Sequence, residues 1–100
     1  MSRPAKFSFR LYVAGGSPSS RRAIANLSAL CLAHLPGRHK IEVVDVLDEP
    51  ERPFADRVLL VPSLVVLEPL PVRTIVGTLS QAAAVLENLG LTPQQVGVAA

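Results

Sequence analysis

The sequence predicts a single α/β domain with the element order β-α-β-(α)-β-β-α, and three observations lead to it. Phe7 to Val13 alternates apolar and polar residues, the period of a strand with one buried face. Ser17-Pro18 then opens a stretch in which apolar residues recur every three or four positions, the period of an amphipathic helix. Beyond residue 40, short branched runs are punctuated by proline and glycine, which favours strands and turns over long helices. The chain has 100 residues, 49% hydrophobic and 18% charged, enough for one core and too apolar for disorder. Arg, Pro, Ser or Asp interrupts every apolar run well short of the ~20 residues a membrane helix needs. No membrane association is expected.

Each element has its own signature. In the first strand Phe7, Phe9, Leu11 and Val13 share a face, and Ala14-Gly15-Gly16 ends it. Ser17 supplies a capping oxygen, and Pro18 suits the first helical position because its missing N–H would be unpaired there. The helix is predicted from Pro18 to Leu35, with Ile24, Leu27, Cys31 and Leu35 inward, Leu30 and His34 flanking, and Pro36-Gly37 stopping it. Lys40 to Leu47 reads as a second strand, more buried and parallel to the first. A short crossover helix near Glu51 to Val58 is allowed by Pro50 and Pro53, with Phe54, Val58 and Leu59 docking on the sheet. Ser63 to Leu67 forms a third strand entered through Pro62, and Val72 to Val76 a fourth, with Pro69-Leu70-Pro71 as the corner of a hairpin. Ser80 is the expected cap of a last helix that directs Leu79, Ala83, Leu86 and Leu89 to the core and ends at Gly90. Residues 1–6 and 91–100 are expected to be flexible ends around a domain spanning residues 7–90.

Charge is unevenly placed. Residues 1–40 hold Arg3, Lys6, Arg10, Arg21, Arg22, Arg38 and Lys40 without one acid, whereas residues 41–60 hold six acids against Arg52 and Arg57. Such asymmetry favours an oriented protein partner. Nucleic acid is not expected, because the basic residues are not interleaved with the four aromatics Phe7, Phe9, Tyr12 and Phe54. A lone cysteine, Cys31, excludes an internal disulfide and, with only His34 and His39, a four-ligand zinc site. Together with the absence of an apolar leader after the basic Met1 to Lys6, this points to the cytoplasm.

The element order, with a proline before the third strand and a turn before the first helix, is the layout of the thioredoxin fold. There a thiolate is stabilised at the entrance of the first helix. Here that turn reads Gly16-Ser17-Pro18-Ser19-Ser20, and no sulfur occupies it. Cys31 lies turns away on the apolar face, so thiol-disulfide exchange has no nucleophile at the usual place. Ser17, Ser19 and Ser20 beside Arg21 and Arg22 offer an anion a helix N-terminus, but capping explains the same residues. A serine nucleophile lacks a base, since His34 and His39 lie at the far end of the helix. The acids from Asp45 to Glu51 match no calcium loop, and no metal or other cofactor is expected.

Five stretches carry a closer resemblance: Leu11-Tyr12-Val13-Ala14-Gly15, Ser17-Pro18-Ser19-Ser20, Val43 to Leu47, Val61-Pro62-Ser63-Leu64, and the run from Pro69 to Ser80 that reads Pro-Leu-Pro-Val-Arg-Thr-Ile-Val-Gly-Thr-Leu-Ser. With them the chain resembles the KaiB family from about Phe7 to Leu89. The resemblance implies a non-enzymatic regulator of circadian or stress and timing control that binds the KaiC ATPase, with KaiA or a histidine kinase as further partners. It implies two folds: a thioredoxin-like monomer, and a dimeric or tetrameric ground state whose half after roughly Asp48 is rearranged. It places the partner-binding charges at Arg22, Arg57 and Arg73. It places the fold switch at Pro62, Pro69 and Pro71, each able to be cis or trans with slow interchange, and at Asn88 and Gly90, where relatives carry glycine and aspartate. Gly16, Ser17, Pro18 and Ser19 are then a vestigial redox turn. The alternative is a glutathione-binding or vestigial redox protein whose cleft is formed by Ser17, Ser19, Pro62 and Ser63.

Overall fold

Strand β1 (Phe7–Val13) forms the spine of the molecule because both its edges are paired and both its faces are covered. It is seen in the computed structural model of the protein, which describes residues 6–91. Of the flexible ends expected at residues 1–6 and 91–100, residues 1–5 and 92–100 lie outside the described residues. Strand β2 (His39–Asp45) runs parallel to β1, with Phe7 opposite His39 and Val13 opposite Asp45. Strand β3 (Ser63–Glu68) runs antiparallel along its other edge and pairs in turn with antiparallel β4 (Arg73–Val76), giving the order β2-β1-β3-β4. Helices α1 (Pro18–His34), α2 (Arg52–Ala55) and α3 (Ala82–Asn88) complete the predicted element order. This is the thioredoxin-like arrangement, not the rearranged alternative.

The alternation in β1 sorts the layers. Phe7, Phe9, Leu11 and Val13 point into the main core, where they meet Ala23, Leu27, Leu30 and Cys31 of α1, Leu64 and Val66 of β3, and Val85, Leu86 and Leu89 of α3. The opposite face carries Ser8, Arg10 and Tyr12, and a smaller cluster of Tyr12, Val44, Val58 and Val65 forms there. Helix α1 starts as expected: the Ser20 N–H donates to the Ser17 Oγ and Pro18 takes the first helical position. Gly15 (φ 55) turns the chain into it, and Asp45 at the end of β2 ties the turn down by accepting the Gly15 N–H at 3.0 Å.

Four expectations are corrected. Strand β2 is an edge strand with only Val44 buried and Val43 exposed, because β1 and β3 take the sheet's centre; Val46 and Leu47 lie beyond it. Helix α2 is a single turn, and Val58 alone of the three predicted apolar residues docks, whereas Phe54 and Leu59 are 74% and 88% exposed. Helix α3 starts at Ala82 after Gln81, with no side-chain cap from Ser80. Its inward residues are Val85, Leu86 and Leu89, and Ala83 is exposed: the cap falls one residue later than expected, on Gln81, and the buried stripe lies on Val85 and Leu86. The ending holds as predicted. Gly90 (φ 78) allows its own N–H to reach the Glu87 carbonyl and the Leu91 N–H to reach that of Leu86, the paired bonds of a glycine-terminated helix.

Candidate functional site

The entrance of α1 is closed on itself. The Ser17 hydroxyl donates to the Ser20 Oγ at 2.8 Å, and the buried Ser20 Oγ accepts the Ala14 N–H at 2.9 Å. Gly16, Ser17, Pro18 and Ser19 therefore build a helix start in which the Ser17 hydroxyl serves the fold together with that of Ser20, with no thiol among them. Cys31 is wholly buried, and burial pushes its thiol up to about 11, far from the thiolate that exchange needs. Among the described residues, no three His, Cys, Asp or Glu side chains converge as a metal site would require.

The three candidate partner arginines come from different parts of the molecule. Arg22 is exposed on α1, on the main-core side of the sheet, and Arg57 is exposed just after α2, on the opposite side. Neither side chain has a hydrogen-bond or ion-pair partner among the described residues. Arg57 also has a left-handed backbone (φ 58), which few residues with side chains adopt without being held there.

Arg73 is different. Its Nε donates to both the backbone carbonyl (3.1 Å) and the side-chain oxygen (3.0 Å) of Asn88, and one terminal nitrogen donates to the carbonyls of Pro69 (2.9 Å) and Pro71 (2.7 Å). One planar guanidinium thus joins the proline corner to the last turn of α3, a geometry a lysine cannot reproduce. The cation also lies at a helix C-terminus, where the dipole favours it. Of the residues expected to govern a switch, Pro69, Pro71 and Asn88 are gathered on Arg73, with Gly90 two residues further on. Pro62 stands apart at the entrance to β3, where its carbonyl accepts the Gly77 N–H at 2.9 Å. The Val61–Pro62, Glu68–Pro69 and Leu70–Pro71 peptide bonds are cis.

Sequence reasoning missed a charged network on the other face of the sheet. Arg10 Nε donates to Glu42 at 2.8 Å, and a terminal nitrogen of Arg10 donates to Asp56 at 3.0 Å. Arg52 donates to the second oxygen of Glu42 at 2.9 Å. The Tyr12 hydroxyl meets the Asp56 carboxylate and, at 3.1 Å, the Arg52 carbonyl. Arg52 and then Arg10 hold the Glu42 carboxyl down at about 2. Burial pushes Asp56 up, but the Tyr12 hydroxyl and Arg10 outweigh it and leave the carboxyl below its usual range. Burial, followed by the bond to Asp56, pushes the Tyr12 phenol up to about 12. The only signal in the sequence was that Arg10 and Tyr12 share the polar face of one strand. Their partners depend on a register and a crossover that no local pattern encodes.

The element order, the strand order and the parallel β1–β2 pair define the class of protein: a thioredoxin-like α/β domain. The N-terminal domain of Synechococcus elongatus SasA superposes with a TM-score of 0.72 at 18% identity, covering 96% of this chain and 88% of that one. Chloroplastic thioredoxin z superposes with a TM-score of 0.70 at 20% identity, covering 85% and 76%. At such identities the likeness establishes the fold alone. The family is given by the sequence, which matches the KaiB domain over residues 10–91. It is 38% identical over 91 residues to the circadian clock oscillator protein KaiB of Synechococcus elongatus, covering 91% of this chain and 89% of that protein. It is 34% identical over 89 residues to the circadian clock protein KaiB3 of a Synechocystis species, covering 89% and 87%. The chain belongs to the KaiB family, and both of these relatives are circadian clock proteins. Among the described residues, no helix is long and apolar enough to cross a membrane.

Proposed function

We propose that this chain is a cytoplasmic, non-enzymatic regulator that docks on a KaiC-type ATPase through Arg22 and Arg57, with Arg73 contributing from the proline corner. Membership of a family of clock proteins carries the reading. Two exposed arginines whose side chains have no hydrogen-bond or ion-pair partner among the described residues support it, since each is open to an acidic partner surface. In the same reading the second half rearranges in a dimeric or tetrameric ground state, and KaiA or a histidine kinase with a similar sensor domain joins or competes at the ATPase. A redox role is disfavoured by a helix entrance without sulfur and by the protonated, buried Cys31.

The test is equilibrium binding of the purified chain to the KaiC-type ATPase of its own cell. Arg22→Glu and Arg57→Glu are each expected to weaken binding by about tenfold or more, because reversal sets like charges against each other. Unaltered affinity in both variants removes the interface.

A further inference from the structure

The crossover from residue 48 to residue 60 is attached in an unusual way. Val58 is its one buried residue, while Phe54, Leu59 and Leu60 are turned out at 74%, 88% and 64% exposure. Its backbone N–H bonds close locally: Asp48 and Glu49 onto the Asp45 carbonyl, Arg52 onto Glu49, Arg57 onto Phe54 and Val58 onto Pro53. What joins it to the sheet, besides Val58, is polar: Asp56 to Arg10 and Tyr12, Arg52 to Glu42, the Arg52 carbonyl to Tyr12 and, at its far end, the Leu60 carbonyl to the Ser63 hydroxyl. These ion pairs are partly exposed, so salt screens them, whereas the main core on the far face draws on none of these residues.

We propose that residues 48–60 form a detachable strap, latched to the sheet by the Arg10–Glu42–Arg52–Asp56–Tyr12 network and able to release while the main core stays folded. Segments with few buried apolar contacts open at far lower free energy than the whole domain, and this one is fastened by screenable charge. Release uncovers Tyr12, Val44 and Val65, which Val58 and the strap now shield. It also changes how Arg57 is presented, because Arg57 follows Asp56 directly and its left-handed backbone belongs to the strap's own turn, closed by the Arg57 N–H on the Phe54 carbonyl and the Val58 N–H on the Pro53 carbonyl. That last consequence, control of how Arg57 is presented, rests on the proposed docking role; the strap itself does not.

Hydrogen exchange and tyrosine fluorescence on the free, full chain test the strap without any partner, so its failure and the failure of the docking proposal are separable. Tyr12 is the single tyrosine and there is no tryptophan, so the emission reports the latch alone. Two perturbations are compared: about 1 M sodium chloride, where the screening length falls to about 3 Å, and Asp56→Asn, which removes the charge at constant size. Each is expected to raise amide exchange across residues 52–58 by about tenfold or more, the worth of a charge-assisted hydrogen bond, and to change Tyr12 emission. Exchange in β1 and α1 stays unchanged. Unaltered exchange in the segment under either perturbation overturns the proposal, as does a rise shared equally by β1 and α1. Should Asp56→Asn fail to fold, the salt series on the unaltered chain decides by the same criteria.

Discussion

Replacing Arg73 by lysine keeps the positive charge and removes the fork that reaches four acceptors. The Nε proton is shared by the two Asn88 oxygens, and the two protons of one terminal nitrogen go to Pro69 and Pro71, so three donor protons are committed. The site is half-exposed and water takes over part of each bond. A net contribution near 0.5 kcal/mol per committed proton, at the low end for hydrogen bonds, gives about 1.5 kcal/mol for the fork. For a domain of this size that is a fall in melting temperature of about 6–12 °C, followed by far-UV circular dichroism. The loss is expected to be local as well: amide exchange rises first from Leu86 to Gly90 and after the proline corner. Asn88→Ala removes one acceptor and leaves the Nε proton on the residue 88 carbonyl, so it is expected to cost less than a third of this, and the double variant should show coupling because both changes break the same contact. A lysine variant as stable as the parent, or additive effects of the two substitutions, refutes the clamp.

Acid tests the charged network. Glu42 titrates near 2 instead of its ordinary 4.5, and Asp56 is also lowered, so their contributions are present above the ordinary carboxylate range and are lost as the pH falls toward 2. Melting temperature should drop across that window, and Glu42→Gln should flatten the decline. On the alkaline side the Tyr12 phenol, raised to about 12, favours the folded state below pH 10; that contribution fades between 10 and 12, visible as late phenolate absorbance that shifts to about 10 in denaturant. Cys31, buried with its thiol raised to about 11, should resist a thiol reagent in the native state and react at once when unfolded. Leu27→Ala, in the main core under β1, should cost about 2–5 kcal/mol by chemical denaturation.

The parts of this molecule that were legible in its sequence are those whose cause is local. The alternation from Phe7 to Val13, the Ser17-Pro18 helix start, the proline corner and Gly90 each act within a few residues, and each appears where expected. The fate of apolar residues was harder to read when it depended on strand order. Val43 and Leu47 look like core residues but sit on or beyond an edge strand, and Phe54 and Leu59 lie on a crossover too short to turn them inward. The start of α3 was misplaced because Ser80 resembles a cap, yet its hydroxyl meets that of Thr78 instead. At the candidate site, Arg22 and Arg57 are displayed to solvent, but the clamp made by Arg73 was invisible. It joins residues 15 positions apart through a guanidinium whose acceptors are mostly backbone carbonyls, a chemistry every residue shares.

A pair of titrations on one preparation tests the central claim most directly. In matched calorimetric runs, the folded chain is titrated first with a hexameric KaiC-type ATPase and then with reduced glutathione. A macromolecular grip built on a scaffold without a thiolate predicts saturable binding to the ATPase, weakened by Arg22→Glu, and no heat from glutathione. Saturable glutathione binding with no response to the ATPase would contradict it.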